Sequence, residues 1–388
     1  MSGSPSGRMT APPVVSVIMA NYRGAAHLAR AMASVLAQTE RRLELILADD
    51  ASDDDSVAIA RRFAEQDPRV RVIASTRNAG PAATRNLALD MAEGTWIAVV
   101  DSDDLIHPER LARLIGAAEN AGVDMVADDL VYFGDVPEPV GRTLLQPMAL
   151  AAPMVLGPAP YLRSNDGGSA LPRFGYLKPV IRRAVLAELR YDPDLRIGED
   201  HDLVLRLMIN GARLLLVPDP LYAYRRHGAS ISHRLSVETV EAMLQALHAL
   251  PPLPDPETRA AAVAVDRQLR RALRYERLVA DIKARRWQSA LPRLVDPVMI
   301  LYLADSLRDR RRRRRAAADA GPYQSADFSD LRAPLPVMPG PGRPWEKPPA
   351  EAAALIAAGA ARGHALPGDA PPWAVWLARA VGGDRSAH

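Results

Sequence analysis

Over the first third of the chain, short apolar runs alternate with longer stretches whose apolar residues recur every three or four positions. The runs are Val14 to Ala20, Leu43 to Ala48, Val70 to Ala74 and Trp96 to Val100, all strand-length and rich in valine, isoleucine or leucine. Between them lie His27 to Gln38, Asp53 to Gln66 and Pro81 to Ala92, each long enough for a helix with one apolar face. Strands without polar alternation, separated by such helices, predict βαβ units whose parallel sheet is buried on both faces. The expected class is therefore α/β, with a mostly parallel sheet and helices on both sides. Pro108 suits the first turn of a further helix running through Glu119, and Asp124 to Ala127 reads as another strand.

The pattern then changes. Prolines and glycines accumulate from Val136 to Pro160, which predicts a long irregular excursion of the kind that carries substrate contacts. Regular structure is expected again near Tyr176. Helix formers dominate from Ser236 to Leu307, and Leu294, Val298, Leu301 and Ala304 fall near one face of an amphipathic helix predicted over Leu294 to Leu307. Beyond Ala316 the chain is rich in alanine, proline and glycine, with short helical possibilities near 350–361 and 373–380, and is expected to be largely disordered. The resulting division is a flexible start over 1–13, an α/β domain over 14–233, a helical extension over 234–315 and the tail over 316–388.

Composition narrows the chemistry. Of 388 residues, 48% are hydrophobic and 24% charged, an ordinary balance for a chain with a sizeable core. The net charge of +3 misleads, because the unbroken run Arg310 to Arg315 supplies six positive charges and the remainder is mildly acidic. Cysteine is absent, so disulfides, thiol nucleophiles and cysteine-based metal sites are excluded. A metal would have to use oxygen or imidazole ligands. Met1 to Pro13 has no apolar core and no later stretch is long and apolar enough for a membrane span, so secretion and membrane spanning are both unexpected. Trp96 and Trp287 are read as packing residues.

Candidate chemistry sits where the strands stop, since ligands of open α/β sheets bind beyond the carboxyl ends of the strands. Those ends carry Asn21 with Tyr22, Asp49 with Asp50, and Asp101-Ser102-Asp103-Asp104. Any one aspartate there can equally be a turn or cap residue. Three carboxylates within four residues repel one another unless a cation or several donors compensate. A hard ion, Mg2+ or Mn2+, fits such spacing and leaves positions for substrate phosphates. No phosphate-binding lysine loop or G-x-G-x-x-G follows the first strand, which argues against P-loop and dinucleotide sites.

Four motifs in order, Val15-Ser16-Val17-Ile18-Met19-Ala20-Asn21-Tyr22, Ala48-Asp49-Asp50-Ala51-Ser52, Asn78-Ala79-Gly80 with Ala83-Thr84-Arg85-Asn86, and Asp101-Ser102-Asp103-Asp104, resemble family 2 glycosyltransferases of the GT-A fold. Gly198-Glu199-Asp200 and Tyr224-Arg225-Arg226-His227 with Ser230 and Ser232 extend the resemblance over residues 14 to 233. Gly80-Pro81-Ala82-Ala83, Val126-Ala127-Asp128-Asp129-Leu130 and Phe174-Gly175-Tyr176-Leu177-Lys178-Pro179 resemble, more narrowly, the transferases of succinoglycan-type exopolysaccharides. The resemblance implies a UDP-sugar pocket lined by Ala20, Asn21, Tyr22, Asp49, Asp50, Asn78, Arg85, Asp101 and Ser102, with Asp50 on the base and Arg85 near the nucleotide. It implies Asp103 as a direct metal ligand, with Asp101 beside the ribose or the metal's water. Ala20, Asn21 and Arg23 depart from the usual proline, threonine and asparagine at those places.

Asp200, next to Glu199 at the start of a helix read over Asp202 to Asn210, is the candidate general base that takes the proton of an attacking sugar hydroxyl. The alternative is that both acids only complement the helix dipole. His227 is either a further metal ligand or a structural hydrogen-bonder. Arg225 and Arg226 either clamp phosphate or are solvated. Asp128, Asp129, Asp166 and Gly167 are candidate acceptor contacts. Glucose is the implied donor sugar, and a lipid-diphosphate-linked oligosaccharide in exopolysaccharide assembly the implied acceptor. The arginine run is read as attraction to anionic lipid at the inner face of the plasma membrane, giving a cytoplasmic, peripheral enzyme. Nucleic acid is not the expected partner, because no interleaved aromatic and basic residues accompany the run. A sugar nucleotidyltransferase or a non-catalytic nucleotide-sugar binding protein at the membrane are the competing readings, and a glycosidase is disfavoured for lacking need of a metal–phosphate cluster.

Overall fold

The computed structural model describes residues 12–134, 143–166, 169–226, 235–296, 299–304, 308, 375–376 and 378. The first four apolar runs form β1 (Val15–Asn21), β2 (Leu43–Asp49), β3 (Val70–Ala74) and β4 (Trp96–Val99). The helices between them are α1 (Ala25–Leu36), α2 (Ser56–Gln66) and α3 (Pro81–Asp90). All seven residues of β2 are buried, as a strand covered on both faces requires. Proline at the first turn of α3 and Gly122 in the left-handed conformation after α4 (Arg110–Ala121) mark the starts and stops that the sequence contains. β5 (Leu105–Ile106) precedes α4, and β6 (Met125–Gly134) follows it, much longer than the strand expected over 124–127.

The stretch expected to be irregular is partly regular. Its described portion holds a 3-10 turn at Gln146–Met148, β7 (Met154–Leu156) and α5 (Pro158–Arg163), and β7 joins the sheet antiparallel to β9 (Leu214–Arg226). Three residues are too few to show a period, so the strand was invisible behind the prolines. β8 (Val180–Arg182) follows a second 3-10 turn at Phe174–Tyr176, and α6 (Arg183–Leu186) and α7 (Glu199–Ile209) precede β9.

One mixed sheet results, in the order β3-β2-β1-β4-β8-β6-β9-β5, with β7 on β9. β1, β2, β3, β4, β6 and β9 run the same way, while β5, β7 and β8, of two or three residues each, run against them. The mostly parallel expectation thus holds for the long strands, and their carboxyl ends share one rim. The core lies on both faces of the sheet and includes Val17, Ile18, Leu45, Leu47, Trp96, Leu114 and Phe174. Trp96 packs as expected, under the Arg182 guanidinium at 4.3 Å from the ring centroid.

After residue 234 the chain is helical. Ser236 caps α8 (Val237–His248) and Asp255 caps α9 (Pro256–Lys283), each accepting from the backbone N–H three residues on. Ala261 and Val265 of α9 enter the main core, and Glu257 pairs with Arg163 at the end of α5. The far end of α9 belongs to a second small core, where Leu278 meets Ala290 of α10 (Trp287–Arg293) and Met299. The single amphipathic helix expected over 294–307 is not what forms: Leu294 caps α10, a separate helical piece occupies 299–304, and Leu301 is exposed while Met299 and Leu303 face the small core. Asp296-Pro297 is the break between them in sequence. Trp287 is exposed rather than packed. No helix among the described residues is long and apolar enough to cross a membrane. Most of the tail after 316 lies outside the described residues; within it, the ring of Trp376 meets His107 edge-on at 5.1 Å.

Asp129 of β6 is fully buried, and its Oδ1 accepts from the N–H groups of Leu130 and Leu145, while Oδ2 has no partner. Burial pushes its carboxyl up to about 7. A folded-state value above the unfolded one means the folded chain binds the proton more tightly, so stability is full below pH 4 and falls as pH rises through 7. Asp129→Asn removes that ionisation. Relative to the variant, the parent protein should lose about 2 kcal/mol between pH 5.5 and 8.5 in denaturant melts, following roughly 1.4 kcal/mol per unit; parallel curves would refute this.

Candidate active site

One side of the rim is built by β1 and β2. Asn21 Nδ2 donates to Asp49 Oδ2 at 2.7 Å, and Asp49 also accepts from the backbone N–H and hydroxyl of Ser52, at 2.8 and 2.7 Å. Asn21 Oδ1 is buried without a partner and faces Gly24, where an added Cβ would come within 2.1 Å of it and 3.3 Å of the Ser102 hydroxyl. Ala20 is half-buried and Tyr22 exposed. Arg23 and Ala51, one just beyond each strand, adopt positive φ values of 53° and 61°, a conformation that L residues hold only where surroundings enforce it. At Arg23 the enforcement is visible: its N–H donates to Ser52, and its guanidinium grips Asp53 through two contacts of 2.7 Å.

Asp50 holds the next element in place. Its two oxygens accept from the N–H groups of Ala79 and Gly80 at 2.7 and 2.9 Å, and its carbonyl accepts from the Asn78 side chain. Gly80 has φ +90°, which explains a glycine there, and it opens α3. Asp50 and Asn78 therefore fix the turn that aims α3, and with it Arg85, into the rim.

Arg85 enters a buried ion cluster. Its guanidinium donates to Asp101 at 2.9 Å and to Glu199, and stands 3.6 Å from Asp200 Oδ1. Lys178, on the short link into β8, places Nζ 2.7 Å from Asp101 Oδ2 and 2.7 Å from Asp200 Oδ2. Three carboxylates and two cations from four separate elements thus share one site. Burial alone would raise the Asp101 carboxyl, but Lys178 and then Arg85 outweigh it and hold it well below the usual carboxylate range. Burial would likewise lower both cations, and the acids around them raise both instead. Burial pushes Glu199 up, with Arg85 partly offsetting it. Gly198, at φ +88°, starts α7 so that Glu199 and Asp200 fall on its first turn, where the helix dipole also favours negative charge.

The other acids of the strand end divide. Asp104 is buried and accepts from the Tyr222 hydroxyl at 2.7 Å and the Arg225 N–H at 2.6 Å. Burial, then Asp103 and Asp101, raise its carboxyl well above the ordinary value. Tyr222 in turn accepts from the Asp101 N–H, and Arg225 Nε donates to the Asp103 carbonyl, so β9 shapes the loop from behind. Ser102 and Asp103 remain half-exposed. Among the described residues no three acids or imidazoles converge as a ready cage for a metal. A divalent ion that draws most of its oxygens from a diphosphate needs only one or two from the protein, a demand that Asp103 fits; the oxygens of Asp101 are engaged by Arg85 and Lys178. His227 and Gly167 lie outside the described residues.

Two expected acceptor contacts belong to the interior. Asp128 is 2% exposed and pairs with the fully buried Arg110 through contacts of 2.8 to 3.1 Å, and Asp129 serves the backbone as described above. Strand β6 is covered on both faces, so neither acid presents an oxygen to a sugar. Asp166 sits beyond α5, its N–H bonded to the Arg163 carbonyl. Lys178 was not singled out as a site residue from sequence. The available signal was a lysine at the edge of an apolar strand, where nothing but an acid could keep it buried.

A mixed sheet with acids at the carboxyl rim, a strand-end Asp-Ser-Asp and an acidic helix start define the nucleotide-diphospho-sugar transferase class of fold, GT-A. Solved structures of Staphylococcus aureus TarS share it: the form with UDP-GlcNAc aligns at TM-score 0.53 and 20% identity over 65% of this chain and 70% of that one, and the form with UDP at 0.51. Residues 16–178 match the family described as "Glycosyl transferase family 2". The succinoglycan biosynthesis protein ExoO of Rhizobium meliloti (strain 1021) is 38% identical over 239 residues, 60% of this chain and 67% of that protein. ExoU of the same organism is 34% identical over 57% of this chain and 65% of its own length. The chain belongs to glycosyl transferase family 2 and is a glycosyltransferase.

Asp128→Ala separates the interior role from acceptor binding. Leaving Arg110 buried and unpaired should cost about 3–5 kcal/mol of stability. An unchanged melting temperature together with a weakened acceptor KM would instead restore the acceptor role.

Proposed function

We propose that this enzyme transfers glucose from UDP-glucose, with inversion at the anomeric carbon, to a lipid-diphosphate-linked oligosaccharide during assembly of a succinoglycan-type exopolysaccharide. The observation that carries the reading is that Asp101 at its strand end and Asp200 on α7 meet in one buried cluster, the proximity that a donor site beside a base requires. The names of the two Rhizobium meliloti relatives support the polymer class, and the UDP-bound forms of TarS support the nucleotide.

In this reading Asn21, Tyr22, Asp49, Asp50 and Asn78 shape the nucleotide pocket, with the unpartnered Asn21 Oδ1 available to a donor group of the ligand. Asp103, with Asp101 beside it and His227 from the segment after β9, would hold Mg2+ or Mn2+. When bound, the ion offsets charge on the departing diphosphate. Asp200 accepts the proton of the acceptor hydroxyl as its oxygen bonds to the anomeric carbon and the carbon–oxygen bond to UDP breaks. Glu199, paired with Arg85, lies beside it on the first turn of α7.

The acceptor is carried by lipid, and the enzyme meets it at the inner face of the plasma membrane. The run Arg310 to Arg315 supports this, as do Trp287, Leu291, Val295, Ile300, Leu301 and Tyr302, exposed large apolar side chains gathered just before it. Basic residues near anionic lipid contribute about 1 kcal/mol each. Replacing the six arginines with glutamine should therefore release the protein from phosphatidylglycerol vesicles in sedimentation; unchanged binding would refute the attachment.

Two measurements test the chemistry. A panel of UDP- and GDP-sugars with manganese or magnesium, read by calorimetry, should show preference for UDP-glucose. Asp200→Asn should retain donor affinity within a few-fold while transfer falls about 10²- to 10⁴-fold. Near-normal turnover in that variant would remove Asp200 as the base.

A further inference from the structure

Lys178 has a position that the donor pocket and the base do not by themselves require. It follows the 3-10 turn Phe174–Tyr176 and leads into β8, the short strand wedged between β4 and β6. Its backbone is anchored, because its carbonyl accepts from Arg110 Nη2, and Arg110 is locked by Asp128. Its side chain is 6% exposed and its ammonium touches the two acids that the mechanism separates, Asp101 at the strand end and Asp200 on α7. Asp200 has two cations nearby, but unequally so. Oδ2 lies 2.7 Å from Lys178, whereas Oδ1 lies 3.6 Å from Arg85, beyond hydrogen-bond length.

We propose that Lys178 is a positioning residue for the reaction: its ammonium braces Asp200 against Asp101 through Oδ2 and so leaves Oδ1 turned toward the acceptor hydroxyl. The inference rests on the reading of Asp200 as the base. Arg85 does not replace the brace where it stands: Nη2 pairs with Asp101, Nη1 pairs with Glu199, and Nη1 stops 3.6 Å short of Asp200. Without Lys178 the Asp200 side chain loses its one close partner among the described residues and can rotate about its Cα–Cβ bond. A base misplaced by about 1 Å costs on the order of 10²-fold in rate. UDP binding would suffer less, because Asp101 keeps Arg85.

The test uses the full chain with UDP-glucose and manganese, following UDP release with water as acceptor, and UDP affinity by calorimetry. Lys178→Met should lower kcat about 100-fold and leave UDP affinity within threefold. Lys178→Arg should recover about tenfold over the methionine variant, being a cation with a different reach. Lys178→Ala should regain at least tenfold on addition of ethylammonium, which can enter the vacated space, whereas Asp200→Asn should gain nothing from it. The proposal is overturned if Lys178→Met stays within threefold of the parent while Asp200→Asn is inactive, if UDP affinity falls in step with kcat, or if neither arginine nor ethylammonium restores turnover. Full turnover by Asp200→Asn would overturn the base reading instead, a distinct result. Should the methionine variant fail to fold, the arginine variant and the amine rescue decide.

Discussion

Three carboxylates out of bulk water at one rim repel each other and lose hydration, and this constraint organises the site. Arg85 and Lys178 stand among Asp101, Glu199 and Asp200 and offset that repulsion. Those cations are themselves too buried to be charged alone. Each therefore depends on the others, and elements far apart in sequence are drawn to one point: α3 for Arg85, the end of β4 for Asp101, the link into β8 for Lys178 and the first turn of α7 for the two acids.

A second layer supports the cluster through its backbone rather than through its charged groups. Asp50 fixes the loop that opens α3, Arg110 and Asp128 fix the carbonyl of Lys178, and Tyr222 with Arg225 fix the backbone around Asp101 to Asp104. Several acids of motif-like appearance thus hold the protein's own backbone or side chains. Asp104 continues an Asp-Ser-Asp run but is turned inward, and Asp128 and Asp129 look like strand-end acids although they lie within a strand.

Those cases show what could be read beforehand. The first four strands and three helices were legible because their hydrophobic periods are clean and their boundaries carry proline, glycine or acids. β7 and β8 were not, since three-residue strands have no period and depend on neighbours distant in the chain, β9 for β7 and β4 with β6 for β8. The strand ends Asn21, Asp49 and Asp101 were identifiable as a rim because open sheets place ligands there. The burial of Asp128 was hidden because its compensating charge, Arg110, sits on a helix whose amphipathic pattern gives no hint of an inward arginine. Lys178 escaped for the same reason: the acids that neutralise it come from two other elements. The helix expected over 294–307 rested on a hydrophobic stripe, but α10 ends at Arg293 and 294–296 are turn and bend.

The separations along the chain have a consequence for how the molecule is made. Arg85 meets Glu199 across 114 residues, and Asp104 meets Arg225 across 121. Closing such long loops is entropically costly and slows folding. A ribosome that has delivered the first four strands has produced a sheet whose acids still lack Lys178 and whose loop still lacks β9. The growing polypeptide thus carries unbalanced charge at its future rim until its middle third has emerged, so biosynthesis itself keeps the pocket unfinished until late.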